Sequence, residues 1–287
     1  MNAAANRSRL VSALMVTPAA FFFALLLILP LIVVLIYSFG ARAPAGGYAP
    51  AFTFANYANL PARGTAFLNT LTLAPIGTLL CVAIAYPLAY FLAVKTRARW
   101  RTLLLVLVVV PFWTSQLLRI YAWLLILGNK GLPRLFELIG VEDLRIINTP
   151  AAVLIGMVYG YLPLMVLPIY VSLEKLDLRL LEASADLGAN PWRSFMQVTL
   201  PLSLPGVATG SMLVFILLMG EFIIPALLGG GKVFFIGNAL VDLFLQSRNW
   251  PFGAAVSVAM VLLMLATVII YMRFVLGRGD TRRVALV

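Results

Sequence analysis

The sequence contains no histidine and only one cysteine, Cys81, among its 287 residues. Without histidine, the Ser-His-Asp and Cys-His nucleophile arrangements are excluded and the commonest metal-ligating side chain is missing. One cysteine cannot form an internal disulfide. Acidic residues do not cluster in or beside the apolar segments. We therefore expect no catalytic residue and no metal site on this chain, and a membrane enzyme is the weakest of the functional alternatives.

Charged residues are also few in this sequence. Only 11% of the residues are charged, whereas 63% are hydrophobic and the mean hydropathy is +1.03. A soluble domain has about a quarter charged residues and needs no such apolar excess. The composition therefore predicts an integral membrane protein. The net charge of +11 then fits basic residues held on the cytoplasmic side of a membrane. We expect the lipid bilayer as a partner and no nucleic acid.

Six apolar segments reach the roughly 20 residues that a spanning helix needs, at 14–39, 67–94, 102–128, 151–172, 207–228 and 253–272. They must be helices, because an open sheet leaves backbone groups unpaired in lipid. The first segment has the alternative of being a signal peptide. We interpret it as a retained span, since signal h-regions run only about 7–15 residues. The predicted fold class is an all-α integral membrane protein with six transmembrane helices.

The distribution of basic residues predicts the orientation of the chain, because cytoplasmic loops are richer in Lys and Arg. One set of inter-span segments carries thirteen of them: Arg7, Arg9, Lys95, Arg97, Arg99, Arg101, Lys175, Arg179, Arg193, Arg273, Arg278, Arg282 and Arg283. The other set carries seven: Arg42, Arg63, Lys130, Arg134, Arg145, Lys232 and Arg248. Both termini and the polar loop at 173–206 are therefore predicted to be cytoplasmic.

The predicted domain organisation has three parts. Residues 1–66 hold an N-terminal cytoplasmic tail, the first span and an outer loop; residues 67–272 form a five-helix core with a polar loop at 173–206; residues 273–287 are a basic cytoplasmic tail. Residues 131–139 and 233–245 have apolar residues at helical spacing, which predicts short amphipathic helices on the outer surface.

The polar loop interrupts an otherwise apolar chain. Residues 180–206 read LLEASADLGANPWRSFMQVTLPLSLPG. A helix can run through EASADL, and Gly188 is a natural left-handed stop. Asn190 is a good N-cap with Pro191 at the first helical position. A second helix, WRSFMQV, is predicted to end at Leu200-Pro201. The stretch therefore reads as helix, glycine turn, helix at the membrane surface; its plain alternative is an ordinary amphipathic connector.

The spacing within this loop resembles the EAA loop of ABC importer permease subunits. Glu-Ala-Ser at 182–184 is followed by three residues, Gly188, nine residues and then Val-Thr-Leu-Pro at 198–201. Ser184 and Val198 depart from the usual alanine and the frequent isoleucine, and both keep size or character. The resemblance implies that these residues couple the chain to an ATPase: Glu182, Ala183, Ser184, Asp186, Gly188, Pro191, Leu200 and Pro201.

In that family the loop docks a short helix into a groove of a separate ATPase subunit. Glu182 and Asp186 lie four residues apart, on one helix face, where they can meet basic partners. The chain has no ATP site of its own. The nearest approach to a P-loop, GGGKV at 229–233, lacks the first glycine at the required offset and has Val233 in place of Ser or Thr. We expect no cofactor on this chain, and ATP with Mg on the partner ATPase.

Four further stretches are similar to those of spermidine/putrescine permeases: PFWTSQLLRIYAWLLILGNKGL (111–132), MVYGYLPLMVLPIY (157–170), MGEFIIPALLGG (219–230) and RNWPFGAA (248–255). The resemblance is closer to the putrescine type, chiefly through MGEFIIPALLGG. The resemblance implies a multi-pass permease subunit of the bacterial inner (cytoplasmic) membrane. Its implied partners are a second permease subunit, two copies of an ATP-binding subunit and a periplasmic solute-binding protein. Transport of another small organic solute, and a stand-alone secondary transporter, remain alternatives. The secondary transporter requires coupling acids in several spans or paired broken helices.

Glu221 is the acid that the predicted spans place deepest. A carboxylate there costs about 2.5–3.5 kcal/mol on insertion scales, so it should face protein or water. Two interpretations stay open. Glu221 meets a cationic solute, or it caps backbone groups freed near Pro225 or pairs with Arg119. Arg119 itself is expected to pair with an acid or to extend outward to water.

Aromatic residues cluster toward the outer halves of the third and fourth predicted spans: Trp113, Tyr121, Trp123, Tyr159 and Tyr161. Each aromatic face attracts an ammonium group by about 0.5–2 kcal/mol. An interfacial aromatic belt is the alternative, and we prefer it for Trp123. The predicted substrate path is Glu221, Tyr159, Tyr121 and Trp113. The pairs Gly156 with Gly160 and Gly206 with Gly210 permit close helix contact, and we interpret them as packing positions.

Overall fold

The computed structural model describes residues 15–141 and 143–283, with side chains described to residue 273. Arg7 and Arg9 of the predicted N-terminal tail lie outside these ranges. The chain divides into two compact units, Met1–Arg63 with Leu240–Leu263 and Gly64–Ala239 with Met264–Val287.

The described elements are almost all helical. In chain order they are α1 (Met15–Ser38), β1 (Ala41–Arg42), β2 (Tyr48–Ala49), α2 (Ala55–Ala58), α3 (Gly64–Tyr90), α4 (Ala98–Trp113), α5 (Gln116–Leu127), α6 (Leu132–Glu137), α7 (Pro150–Glu174), α8 (Arg179–Asp186), α9 (Pro191–Met219), α10 (Ile223–Leu228), α11 (Ile236–Gln246) and α12 (Trp250–Arg283). A 3₁₀ turn at Leu60–Arg63 precedes α3, and a π turn at Phe91–Lys95 extends it.

Five of the described helices are long and apolar enough to cross a membrane, namely α1, α3 with its flanking turns, α7, α9 and α12 up to Arg273. The pair α4 and α5–α6 adds a sixth crossing if it is counted as one span. This confirms the predicted all-α class with up to six spans. The first, second and fourth predicted spans coincide with helices to within a few residues.

The core of the second unit forms where α7 packs on both α3 and α9. Small residues allow the close approach. A Cβ added at Gly206 would meet the α7 backbone and would lie 2.5 Å from the Ser172 Cβ. At Gly210 a Cβ lies 3.0 Å from the Met165 sulfur. At Gly156 it lies 2.9 Å from Ile224 Cγ2 of α10. The packing role of Gly156, Gly206 and Gly210 is therefore confirmed inside this one chain, whereas a Cβ at Gly160 has only an ordinary contact, 3.8 Å from Ile224 Cδ1.

The predicted continuous span 102–128 is wrong. The chain leaves the helix at Thr114 and Ser115, whose ψ angles are 156° and 130°, and the helices on either side are bent by 89°. The Thr114 hydroxyl donates to the carbonyl of Pro111 at 2.7 Å, so a side chain satisfies the helix end. Short polar side chains compete in this way with helix continuation.

The predicted helix boundaries at Leu200-Pro201 and within 207–228 are also wrong. Helix α9 runs without a break through Pro201, because a π turn at Phe195–Thr199 comes immediately before it. A π turn changes the hydrogen-bonding register where proline has no N–H to donate. The helix then ends at Met219, and Glu221 lies in the break before α10. Glu221 is therefore at a helix terminus and not inside a continuous span.

The two predicted outer helices are present, as α6 and within α11. The second is not a surface helix. Phe235, Ile236 and Ala239 are fully buried, because this segment returns into the protein and packs against it.

Candidate functional site

The polar loop folds as the predicted helix, turn and helix. Helix α8 ends in two bonds that satisfy its last carbonyls: Gly188 N–H donates to Ala185 at 2.9 Å and Ala189 N–H to Ser184 at 3.1 Å. This is the Schellman pattern, which needs a left-handed residue at the turn. Gly188 supplies it with φ of +79°. No atom lies within 4 Å of a Cβ built there, so backbone conformation and not space requires the glycine.

The start of α9 is fixed by side chains. Asn190 Oδ1 accepts from the Arg193 N–H at 2.8 Å, with Pro191 in the first turn, which confirms the predicted N-cap. The hydroxyls of Ser184 and Ser194 lie 2.8 Å apart and join α8 to α9. Alanine, the residue usual in the EAA pattern at position 184, has no such bond to make. The two helices therefore form one braced unit.

The braced unit of α8 and the start of α9 has an exposed face. Glu182, Ala183 and Asp186 are exposed, and within the described part of the chain neither acid forms an ion pair. Near them in sequence are large apolar side chains, Leu187 at 88% exposure and Trp192 at 67%. Exposed apolar groups of this kind are typical of interaction sites, with a protein or with a membrane. Leu200 and Pro201, the last two of the predicted coupling residues, are half-buried in α9.

The loop is anchored to the membrane helices through a cluster that the sequence reasoning missed. Glu174, at the end of α7, accepts from the Tyr170 hydroxyl at 2.6 Å and lies 3.6 Å from the Arg101 guanidinium. Arg101 also donates to the carbonyl of Ala93, at the end of α3, at 2.9 Å. The ends of three helices are thereby joined where the loop begins. In the sequence Arg101 is only the last of four basic residues at 95–101. The pattern of charges therefore gives no reason to single it out.

Glu221 is 5% exposed, and both of its carboxylate oxygens are used. Oε1 accepts from the backbone N–H groups of residues 222, 223 and 224 at 3.0, 2.9 and 3.2 Å. Oε2 accepts from the Tyr161 hydroxyl and from the Gln116 amide, the latter at 3.4 Å. An anion at a helix N-terminus is stabilised by these free donors and by the helix dipole. The capping interpretation of Glu221 is therefore confirmed, and contact with a solute stays a prediction.

The segment that follows Glu221 is held by further polar bonds. Asn238, which is 8% exposed, donates to the carbonyl of Phe222 at 2.7 Å and accepts from the N–H of Phe235 at 3.1 Å. The Thr70 hydroxyl on α3 accepts from the N–H of Ile236 at 3.0 Å. Glu221 thus belongs to a network that fixes the broken part of the fold. Its members are far apart in sequence, so only Glu221 and Tyr161 stood out beforehand.

The aromatic candidates lie in different surroundings. Trp113, Tyr121 and Tyr159 are 76%, 53% and 39% exposed. Tyr159 contacts Trp123, with ring centroids 5.5 Å apart in an edge-on arrangement. Tyr161, two residues along α7, is the aromatic that reaches the carboxylate.

Arg119 does not pair with an acid. Its guanidinium lies over the Phe112 ring, 5.6 Å from the centroid. The ion pairs found within residues 15–141 and 143–273 do not include it, so the alternative pairing with Glu221 is wrong.

Comparison with known proteins places this architecture. Residues 85–277 match the family of binding-protein-dependent transport system inner membrane components. The chain is 44% identical over 251 residues to the spermidine/putrescine transport system permease protein PotB of Haemophilus influenzae, covering 86% of this chain and 87% of the relative. It is 43% identical to the PotB protein of Escherichia coli over 87% of this chain and 92% of that protein.

A more distant relative is the inner membrane ABC transporter permease protein YdcU of Escherichia coli, 35% identical over 80% of this chain and 77% of its own length. Among solved structures, a bacterial ABC transporter involved in the import of the acidic polysaccharide alginate matches with a TM-score of 0.76 at 18% identity, over 94% of this chain and 96% of that one. This likeness shows a shared fold. The chain is thus a transport subunit, not an enzyme, and it belongs to the family of inner-membrane permease subunits of binding-protein-dependent ABC importers.

Proposed function

We propose that this permease subunit forms half of the translocation path for a putrescine- or spermidine-like cation, and that loop 173–206 couples the path to a separate ATPase. The observation that carries the solute is the 44% identity, across most of both chains, to a permease named for spermidine and putrescine. The shared fold alone carries no solute, because a structure of the same fold serves an acidic polysaccharide.

The chemistry around Glu221 supports a cation. Oε2 is held by two side-chain donors, Tyr161 and Gln116, and not by backbone. A side-chain donor can rotate away when the subunit changes conformation, so an ammonium group can take its place while Oε1 keeps capping α10. The exposed faces of Trp113, Tyr121 and Tyr159 offer further cation–π contacts of about 0.5–2 kcal/mol each.

The coupling proposal is supported by the open surface of the polar loop. Its exposed acids, Glu182 and Asp186, and its exposed apolar tip at Leu187 provide contact area for an ATPase subunit. The bonds through Glu174 and Arg101 connect that surface to three helix ends. ATP and Mg belong to the partner ATPase, which is present in two copies. A second permease subunit completes the path, and a periplasmic binding protein delivers the solute.

Uptake by a reconstituted complex tests the solute. The chain is assembled in proteoliposomes with the ATPase, second permease and binding protein of its importer, and uptake of labelled putrescine and spermidine is compared with that of an amino acid and molybdate. We expect ATP-dependent uptake of a polyamine and of neither competitor. Glu221→Gln, assayed well below its unfolding temperature, is expected to lower polyamine uptake while the subunits still co-purify. Transport of a competitor alone refutes the polyamine proposal and leaves the permease assignment in place.

A further inference from the structure

The first unit carries a polar surface that the translocation path does not use. The short hairpin of β1 and β2 pairs Ala41 with Ala49 and Arg42 with Tyr48. Its turn contains Gly46 and Gly47, with φ of +88° and +89°. We call the hairpin together with residues 247–250 the hairpin patch. The distribution of basic residues predicts that both of its segments lie on the outer side of the membrane.

The hairpin and residues 247–250 are joined by one backbone bond and one side-chain bond. The N–H of Gly47 donates to the carbonyl of Arg248 at 2.7 Å, and the Arg42 guanidinium donates to the carbonyl of Ser247 at 2.7 Å. A Cβ at Gly46 lies 3.0 Å from the Arg248 Cβ. The two segments, about 200 residues apart in sequence, therefore present one preorganised surface.

Arg248 has an unusual backbone. Its φ is +47°, in the left-handed region that a long side chain rarely adopts. Such strain costs of order 1–3 kcal/mol and persists where the surrounding structure enforces it, often at functional surfaces. Here it is enforced by the bond from Gly47 and by the adjacent bond from the Asn249 N–H to the carbonyl of Leu243 at 2.8 Å. The strained residue is an exposed arginine, and the residue before it, Ser247, holds the guanidinium of a second exposed arginine, Arg42.

The charge of the patch is uncompensated. Asp242 is the only acidic residue in the sequence of residues 1–63 and 240–263. Its carboxylate forms an ion pair with the Arg63 guanidinium, 2.7 Å away. Arg42 and Arg248 are exposed, and in the described chain neither is part of an ion pair. Two outward cations repel a polyamine, so the patch suits an anionic partner and not the solute itself.

We propose that the hairpin patch docks the acidic rim of the solute-binding protein's cleft. This inference rests on the proposed function. A protein that captures a polycation carries acidic groups around its cleft, because a field of opposite sign concentrates the ligand there. The cleft must face the permease to release its solute. Arg42 and Arg248 then meet that rim, orient the cleft and speed the encounter, as charges at the edge of an interface do.

Binding kinetics test this assignment. The full complex is placed in nanodiscs, and association of the polyamine-loaded binding protein is followed at several salt concentrations. The double variant Arg42→Glu/Arg248→Glu is expected to associate at least about tenfold more slowly, with a flattened salt dependence, and with a smaller change in dissociation. Arg134→Glu, an exposed arginine outside the patch on the same predicted side, is the matched control and is expected to associate like the parent.

A folding defect is separated from a charge effect by Arg42→Lys/Arg248→Lys, which keeps both charges and is expected to keep most of the association rate. Unchanged association and salt dependence in the double Glu variant overturn the proposal. So does a defect that appears in nanodiscs with phosphatidylglycerol and vanishes in phosphatidylcholine alone, since the patch then binds lipid headgroups. Loss of polyamine specificity with docking intact rejects the proposed solute instead.

Discussion

Glu221 provides the most exacting test of how the broken helix is held. The substitutions Glu221→Gln and Glu221→Ala remove different parts of its bonding. Glutamine keeps one oxygen for the three backbone N–H groups, but it replaces the other with an NH₂ that cannot accept from Tyr161 or Gln116. Alanine leaves all five donors without this acceptor at a position that is 5% exposed.

The expected magnitudes follow from the number of donors left unpaired. Losing the side-chain bonds to a buried acceptor costs about 1–3 kcal/mol. Leaving all five buried donors without this acceptor costs more, about 3–5 kcal/mol, which is at the upper end of single-substitution effects. At about 2–4 °C per kcal/mol for a chain of this size, Glu221→Gln is expected to lower the unfolding temperature by about 2–12 °C and Glu221→Ala by about 6–20 °C.

The assay follows the fluorescently tagged chain within its assembled complex and records the temperature at which its monodisperse size-exclusion peak is lost. Glu137→Gln, the same substitution at an exposed outer acid, is the matched control and is expected to leave this temperature unchanged. The reasoning fails if both Glu221 variants unfold at the parent temperature, since the carboxylate then does not hold α10 in place.

Two further stability predictions use the same assay, each with its own control. Gly206→Val places a side chain against the α7 backbone and is expected to cost about 1–3 kcal/mol through overpacking; Gly64→Ala, where a Cβ meets nothing within 4 Å, should be neutral, and equal effects of the two contradict the packing role. Thr70→Val leaves the buried N–H of Ile236 without its acceptor and is expected to cost about 1–3 kcal/mol. Thr72→Val, whose hydroxyl bonds only within its own exposed helix turn, should cost little, and a larger loss there than at position 70 contradicts the assigned bond.

Sequence reasoning located the polar loop because its signals are local. Gly188 and Asn190 act through their own backbone and side chain on residues within one helical turn, so the stop and the cap can be recognised from the sequence alone. The apolar segments could also be assigned to helices from the sequence, because a run of about 20 apolar residues has few possible backbone conformations in lipid.

The breaks were not readable because they depend on tertiary partners. Thr114 and Ser115 end α4 at a short polar stretch inside an apolar segment, and their side chains can satisfy a helix end locally. They do not by themselves require the 89° bend. Pro201 signals a helix end by propensity, yet the π turn ahead of it accommodates the ring. From the sequence, Glu221 is predicted to be an acid inside a span. Its hydrogen bonds to Tyr161 and Gln116, which are 60 and 105 residues away, appear only in the structure. Long-range bonds, not residue types, decide these positions.

The account's central claim is that loop 173–206 passes ATP-driven motion to a polyamine path. Gly188 tests it most directly, since its φ of +79° is required by the turn while its surroundings are empty. ATP hydrolysis and polyamine uptake are measured together in proteoliposomes carrying Gly188→Asn or Gly188→Val. Asparagine tolerates the left-handed conformation far better than a β-branched residue does. The account predicts coupled hydrolysis and uptake with Gly188→Asn and loss of both, with the ATPase no longer co-purifying, with Gly188→Val. Full transport by Gly188→Val contradicts it.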